Sequence, residues 1–512
     1  MSAPMTETQP LLPSKRLESP EHGRPIAGHS YTNVNNGTAA SDTTVEPCVV
    51  DFDPYGDVDN PLEWPTAFKW GIVLLLAVTA FTVTFTCIGV IPLAADIGRD
   101  LSGSDDTSKS ASVLLVTIWE LGEAAGPLLI APLSEMYGRY PVINGANILF
   151  VGATVLAATS RTVPTFVTAR ALTGLAVATN VLSPAIVGDM FASEERGGAV
   201  SLVFLAPLLG GALSPAIASA VAEHAGWRRV IWMSVALATL CEIVFLTFFR
   251  ETYKVAILRK RARNLGQKMA LDETAVVVEE KRGLRELREA VLRPASVLFG
   301  SGVLMAMCLF GSVVFSYYYL MSVTLADILR DVYGLDSVAA GLCFMSFSIG
   351  SAFTVFVCNR HLDKIYIKMR DAHKGVGLPE FRLPLTIFGA LTMPLAVAAY
   401  GWTAALGLPL PILLLSVALI GTTLMLAMIP MMAYIVDAFG LFSASAMTGI
   451  IVTRCLMSTF LPLTTGPLIG TLGYGWAFTI YAGTNLALAP IPMLMLRYGE
   501  RWRQFSKYSR DQ

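Results

Sequence analysis

Five charged side chains lie within segments that are otherwise apolar: Glu120, Glu123, Arg170, Glu242 and Arg454. A charge at the centre of a bilayer costs about 2.5–3.5 kcal/mol on insertion scales, so a residue of this kind indicates a functional role. A buried carboxylate binds a proton readily, whereas a neighbouring arginine favours its ionised form. The chemistry that these residues predict is therefore reversible proton binding inside a membrane.

Glu120 and Glu123 are three residues apart, so their carboxylates lie on one face of a helix. Arg170 keeps its charge under ordinary conditions and needs a partner, and Glu120 or Glu123 is the best acid for it. We expect these three residues to form a proton-coupling site. The alternative is a static carboxylate–arginine pair that fixes helix packing, and we favour it for Glu242 and Arg454.

The segments that must position these residues recur about twelve times between Trp64 and Arg497. One crossing needs about 20 apolar helical residues, and only helices or closed barrels satisfy their own backbone in lipid. Barrel strands alternate polar and apolar residues over about 10 positions, which these uniformly apolar segments do not. We predict an all-α polytopic membrane protein and no enzyme, which leaves transport, channel conduction or sensing.

We place the spans, numbered 1 to 12 along the chain, at residues 68–94, 111–133, 141–159, 164–191, 199–222, 229–249, 295–321, 337–359, 382–403, 409–436, 443–470 and 475–497. Apolar residues make up 54% of the chain and charged residues 15%, against about 25% charged in an average soluble domain. This composition agrees with membrane burial.

The spans form two similar halves of six. Asp189 ends span 4 and Asp437 ends span 10, and a Gly-Trp pair follows each at nearly the same distance, at Gly226-Trp227 and Gly475-Trp476. Duplication of this kind is typical of secondary transporters. We predict a disordered cytoplasmic tail at 1–65, six-helix bundles at 66–250 and 294–498, a basic cytoplasmic loop at 251–293 and a cytoplasmic tail at 499–512.

The sequence predicts no ATP-binding site, no ion-channel filter and no cofactor site. It has no P-loop for ATP and no repeated filter-like loop of the kind that lines ion channels. Seven cysteines are scattered singly, without a CxxC pair or a Cys/His cluster, so neither disulfides, a metal site nor any cofactor is predicted. Glu7, Leu11 and Leu12 have the spacing of a dileucine sorting signal.

The connection between spans 2 and 3 carries Glu135, Gly138 and Arg139. It resembles the loop motif of the major facilitator superfamily, and Arg170 with Gly174 resembles the R-x-x-x-G element of the same family. Three further segments are similar to landmarks of its fungal twelve-span drug:proton antiporter branch: Asn60-Pro61-Leu62-Glu63-Trp64, Glu251-Thr252-Tyr253 and Pro379-Glu380-Phe381-Arg382-Leu383.

The resemblance implies two six-helix bundles that alternate between inward-open and outward-open states. It implies a cytoplasmic gate at the ends of the spans, made by Glu135, Arg139, Asp189 and Asp437. Aromatic and weakly polar side chains would suit an amphipathic substrate. We therefore predict substrate contacts at Trp119, Asn180, Tyr317, Tyr318 and Arg454.

The function we predict is proton-coupled export of small amphipathic organic compounds such as drugs, toxins or secondary metabolites. Polyamine export, nutrient uptake by symport and a non-transporting sensor on a carrier fold are the alternatives. We expect the partners to be a small organic substrate, protons and the lipid bilayer, with no nucleic acid. We expect the protein to be a monomer. The expected location is the plasma membrane, with the vacuolar membrane as alternative.

The distribution of Lys and Arg predicts the orientation, because cytoplasmic loops are enriched in these residues. Cysteines introduced at both termini, in the 251–293 loop and in the 360–380 loop should all react from the cytoplasmic side in an accessibility assay. A central loop that reacts only from the outside would overturn this topology.

Overall fold

The computed structural model describes residues 52, 57–102, 109–192, 196–264, 291–506 and 508–509. Over these ranges the regular structure is helical and contains no strand. The N-terminal segment with Glu7, Leu11 and Leu12 lies outside the described residues. We call the side on which Arg139, Arg259 and Arg382 lie the basic face, since successive spans reverse direction and bring these residues to one end of the bundle.

The first half supplies spans 1 to 6. Span 1 is Thr66–Ile88, followed by a short turn at Ile91–Leu93 and the helix Ala94–Ser102; spans 2 and 3 are Lys109–Tyr137 and Arg139–Thr159; span 4 is Val163–Leu175 and Thr179–Met190; spans 5 and 6 are Arg196–Ala225 and Trp227–Phe248. A polar helix, Lys254–Asn264, follows at the basic face.

The second half supplies spans 7 to 12. Span 7 is Gly302–Asp331; span 8 is Ser337–Cys343 and Met345–Ala372; spans 9 and 10 are Pro384–Ala405 and Leu410–Phe439; span 11 begins with Ser443–Phe460; span 12 ends with Pro490–Arg503. The helix Thr465–Leu488 contributes to both of the last two spans, because Gly473 has non-helical backbone angles and bends it.

The all-α fold with twelve crossings in two pseudo-symmetric bundles is confirmed. Among the described helical segments, ten are long and apolar enough to cross a membrane. The predicted count is higher for two reasons. Span 4 consists of two short helices, each below the length of a full crossing, and spans 11 and 12 run together through Gly473 as Ser443–Arg503.

Span 7 differs most from its predicted bounds of 295–321. Its helix begins after Ser301, whose side chain accepts a hydrogen bond from the Leu304 amide at 3.4 Å and so caps the helix. At the other end the helix continues to Asp331, because Arg330 lies 3.1 Å from both Asp327 and Asp331. These ion pairs neutralise the charges of the last helical turns, which lie beyond the apolar segment.

The threonine hydroxyls in the membrane segment of span 1 bond to carbonyls of their own helix. Thr79 and Thr82 donate to the carbonyls of Leu75 and Val78 at 2.9 and 2.8 Å. A hydroxyl that bonds to the carbonyl four residues earlier needs no water. This bonding lets span 1 carry several threonines through the lipid without an unsatisfied donor.

Spans 2 and 4 approach each other closely at two glycines. A Cβ at Gly122 would lie 2.6 Å from the Leu175 amide nitrogen, and a Cβ at Gly174 would collide with the carbonyl of Trp119. Small residues at membrane helix contacts allow backbones to approach in this way. The contact places Trp119 and the neighbouring acidic residues directly against span 4.

The two halves are joined at the centre and toward the face opposite the basic one. Thr459 of span 11 donates to the Thr117 carbonyl of span 2 at 3.3 Å. A Cβ at Gly341 of span 8 would come within 2.6 Å of the Pro215 carbonyl oxygen in span 5. Near the basic face, by contrast, the apolar cluster around Trp64 and Met190 consists of first-half residues.

The glycine contact predicts a specific loss of stability. Gly174→Ala should lower the free energy of unfolding by about 1–3 kcal/mol, the usual cost of overpacking a core, because the added methyl group meets backbone rather than a movable side chain. A thermal-shift assay in detergent would measure it. Gly152→Ala is the matched control, since nothing lies within 4 Å of its added Cβ, and equal melting temperatures for the two variants would contradict the prediction.

Candidate functional site

An ion pair connects the two halves at the middle of the membrane. The Nη2 atom of Arg454 in span 11 lies 3.5 Å from Oε1 of Glu123 in span 2. Both side chains are largely buried, with 20% and 12% of their surfaces exposed. A buried charge is stable only when it is paired. Each of these two charges is therefore stabilised by a residue of the other half.

A second polar contact connects the halves beside the first. The hydroxyl of Tyr319 in span 7 donates to Oε1 of Glu120 at 2.6 Å. The other carboxyl oxygen, Oε2, is buried and has no hydrogen-bond partner in the part of the chain that the structure describes. Glu120 therefore has an unused oxygen at which it can hold a proton.

Arg170 has partners other than the expected carboxylates. Its Nη1 and Nη2 atoms donate to the carbonyls of Thr86 and Cys87 at 2.9 and 3.0 Å. These carbonyls belong to the last turn of the helix Thr66–Ile88, where they lack a partner within the helix. The negative end of the helix dipole also favours a cation there. The structure thus corrects the expected direct pairing: in this conformation Arg170 caps span 1.

Trp119 links Arg170 to the acidic pair indirectly. Its indole Nε1 donates to Oε2 of Glu123 at 3.3 Å, and the Arg170 guanidinium lies 4.8 Å from the centre of its ring. The indole is 1% exposed in this conformation. Trp119 was predicted as a substrate contact, and here it positions the two charged groups on either side of it.

Arg454 is held by its surroundings as well as by Glu123. Its guanidinium lies 4.2 Å from the centre of the Phe315 ring, and within the described ranges its Nε atom has no hydrogen-bond partner. The Nε atom of Arg170 is likewise without one. The centre therefore combines two carboxylates, two guanidinium groups and aromatic rings, with donor capacity to spare for a polar group of a bound molecule.

The three consecutive tyrosines of span 7 face different directions. Tyr317 donates to the Tyr481 carbonyl at 2.6 Å and so packs within the second half, and the Tyr318 ring lies 4.9 Å from that of Phe347. Tyr319, which the sequence analysis did not select, contacts Glu120 instead. The side chain of Asn180 lies outside the described residues.

Two of the predicted gate residues of the first half, Arg139 and Asp189, lie in one network at the basic face. Nε of Arg139 lies 3.2 Å from Oδ2 of Asp189, and Arg139 Nη1 donates to the Ser134 hydroxyl at 2.6 Å. Glu251 accepts from the backbone amides of Arg139 and Tyr140 at 2.8 and 3.1 Å, at the start of span 3. The arrangement ties the ends of spans 2, 3, 4 and 6 together.

The second half has a similar network around Asp437. Arg382, which precedes the helix of span 9, contacts Asp437 and lies 3.3 Å from Asp363. Burial alone would lower the pKa of Arg382, but its contacts with these two carboxylates outweigh burial and raise that pKa. Glu135, by contrast, is exposed and makes no ion pair within the described part of the chain.

The functional residues that sequence reasoning missed are Tyr319 and Arg382. Arg382 had a usable signal, because it lies in a landmark segment and Asp437 corresponds to Asp189 in the other half. Tyr319 had none beyond its membership of a run of three tyrosines. No cluster of three or more His, Cys, Asp or Glu side chains able to hold a metal ion is found in the described ranges.

A family model described as Major Facilitator Superfamily matches residues 72–462. The chain is 30% identical over 483 residues to the efflux pump radE of Floropilus chiversii, with 93% of this chain and 89% of that protein covered. It is also 30% identical over 465 residues to the MFS-type transporter penM of Penicillium rubens, with 90% and 91% covered.

Solved structures share the fold at low sequence identity. The xylose transporter XylE from E. coli, in a partially occluded inward open conformation, matches with a TM-score of 0.62 at 17% identity, over 85% of this chain and 98% of that one. The human organic anion transporter MFSD10 matches with a TM-score of 0.59 at 18% identity, over 84% and 100%.

The Glu123–Arg454 contact predicts a stability difference between single and double variants. Arg454→Gln should lower the free energy of unfolding by about 3–5 kcal/mol, because it leaves a buried carboxylate unpaired. The double variant Glu123→Gln with Arg454→Gln should recover most of that loss, and thermal unfolding would measure both. Arg360→Gln, at an exposed position, is the control; a double variant that is no more stable than Arg454→Gln would contradict the pairing.

Proposed function

We propose that this chain, a multi-pass membrane transporter that belongs to the Major Facilitator Superfamily, exports small amphipathic organic compounds in exchange for protons. Membership of the family and its relatives named as transporters make it a carrier of small molecules rather than an enzyme. The finer elements of the proposal are the proton coupling, the direction and the kind of compound.

The observation that supports proton coupling is the pair of carboxylates at the junction between the halves. Glu123 contacts Arg454 and Glu120 contacts Tyr319, and each contact joins span 2 to the second half. A proton on Glu123 would remove the charge that attracts Arg454 and so weaken one of these contacts. The protonation state would then bias the equilibrium between the two conformations of the carrier.

The gate networks fit an alternating mechanism. Arg139 with Asp189, and Arg382 with Asp437, each bind within one half at the basic face, whereas the contacts that join the halves lie at the centre and opposite. In our proposal the basic face is cytoplasmic and the present conformation is closed to the outside. Opening to the outside would break the central contacts and bring the two basic-face networks together.

The kind of substrate is inferred from the central side chains. Trp119, Phe315 and Tyr319 supply aromatic surface beside four charged groups, a combination that suits a molecule with an apolar body and a polar or charged end. The relative radE is named an efflux pump, which supports the direction. We propose the plasma membrane as the location and a monomer as the working unit.

Proteoliposomes test the proposal directly. Proteoliposomes that contain the purified protein are supplied with a fluorescent amphipathic cation or a fluorescent amphipathic anion. Transport of the compound is followed with and without a pH gradient. Wild-type protein should concentrate at least one of them only when the gradient is present. Glu120→Gln or Glu123→Gln should retain exchange of substrate without a gradient while losing gradient-driven accumulation, because the proton-binding group is gone.

Glu500→Gln, an exposed change at the end of span 12, controls for the loss of a carboxylate elsewhere. If both central glutamine variants still concentrate the compound normally, the proton site lies elsewhere. If the wild-type protein exchanges substrate but ignores the pH gradient, coupling to protons is wrong. Coupled movement in the same direction as protons would indicate uptake rather than export.

A further inference from the structure

Glu242 of span 6 is a buried acid without a cation. The residue is 5% exposed, and neither oxygen of its carboxyl group has a hydrogen-bond partner among the described residues. None of the ion pairs in the described ranges includes it. The static pair with an arginine that the sequence favoured for Glu242 is therefore absent, and another explanation for this carboxyl group is needed.

The other charged and titratable residues of the surrounding spans either make contacts of their own or belong to span ends. Arg139 contacts Asp189, Lys69 donates to the Leu62 carbonyl at 2.7 Å, and the Tyr140 hydroxyl donates to the Leu246 carbonyl at 3.4 Å. The thiol next to Glu242, Cys241, lies 3.7 Å from the Thr82 hydroxyl. The other such groups on spans 1, 3, 5 and 6 lie at or near span ends, namely Cys87, Arg196, Glu223, His224, Arg228, Arg229 and Arg250.

Glu242 lies inside span 6, short of the end of its helix. It precedes the end of its helix at Phe248 by six residues, which is about 9 Å along the axis at 1.5 Å per residue. A carboxylate in such a place without donors is far less stable than the neutral acid, so the group takes up a proton instead of remaining charged.

Asn147 of span 3 lies close to this carboxyl and lines one small cavity together with Cys241, the residue next to Glu242. Its Nδ2 atom is buried and has no hydrogen-bond partner among the described residues. An amide N–H group can donate to a carboxyl oxygen. A rotation of either side chain that brings the two groups within hydrogen-bond distance would satisfy both.

We propose that Glu242 is a proton-binding site of the first half, occupied in this conformation, with Asn147 as its positioning residue. The site is separate from Glu120 and Glu123, and it rests on the packing of spans 3 and 6 rather than on the transport mechanism proposed above.

A small cavity lies among spans 1, 3, 4 and 6, beside Asn147. It has a volume of about 10 Å³ and is lined by Asn147, Cys241 and the hydroxyl-bearing residues Thr79, Thr82 and Thr179, a volume close to that of one water molecule on the same measure. Ala176 lines the same cavity, and it belongs to the break between the two helices of span 4. The cavity therefore places hydroxyl groups next to the proposed positioning residue.

Carbodiimide labelling tests the proposal without measuring transport. Dicyclohexylcarbodiimide adds to a protonated carboxyl group in an apolar environment, where the acid proton moves to nitrogen and the adduct rearranges to a stable N-acylurea with no leaving group. Purified full-length protein in lipid nanodiscs is treated at a series of pH values and the adducts are located by mass spectrometry. We expect Glu242 to be labelled at neutral pH and the labelling to fall as the pH rises.

Asn147→Leu is the informative variant, because it removes the donor that would stabilise the ionised form. The midpoint of Glu242 labelling should then move to higher pH by about one unit, a tenfold change in proton affinity. A purely structural role of Asn147 would leave the midpoint in place. The exposed Glu500 is the internal control and should stay unlabelled, and Glu242→Gln should remove the adduct from its own peptide only.

Two results would overturn the proposal. The first is an unlabelled Glu242 in a sample in which Glu120 is labelled, since the reagent would then have reached the membrane interior. The second is labelling of Glu242 that does not change with pH, which would mean a permanently neutral acid. The wild-type pH series decides both cases even if Glu242→Gln fails to fold, and loss of proton-coupled transport alone would leave the labelling result unaffected.

Discussion

Ionised side chains inside a bilayer must find partners, and the way this chain pairs them determines how its halves meet. Glu123 and Arg454 lie on opposite sides of the central junction, so each half carries a charge with an ion-pair partner in the other half. The Glu120–Tyr319 contact reinforces the same junction. A chain built in this way cannot separate its halves at the centre without first changing the charge or the partner of a carboxylate.

The first half is organised to keep its central residues in place. Arg170 caps the end of span 1, and its guanidinium lies against Trp119, which in turn donates to Glu123. Gly174 allows span 4 to approach span 2 closely enough for this chain of contacts to form. The centre of the first half is thereby a connected unit that contacts the second half through Glu120 and Glu123.

The basic face repeats one physical solution twice. In each half an arginine near the start of an odd-numbered span contacts the aspartate that ends spans 4 or 10, as in Arg139 with Asp189 and Arg382 with Asp437. Internal duplication explains the repetition, since two copies of one fold place equivalent residues in equivalent positions. The copies have diverged at Glu251, which accepts from backbone amides at the start of span 3.

Length and uniform apolarity were enough to predict the helical spans and their number, because a bilayer imposes these properties on any chain that crosses it. The matching positions of Asp189 and Asp437 predicted the two halves. The loop motif near Arg139 predicted the family together with Arg170, Gly174 and the three landmark segments. The contacts that individual side chains make depend on the tertiary structure. Tyr317, Tyr318 and Tyr319 are chemically identical, and only the rotation of span 7 decides which one faces Glu120. Arg170 bonds to carbonyls because span 1 ends beside it, a distance between helices that no spacing along the chain encodes.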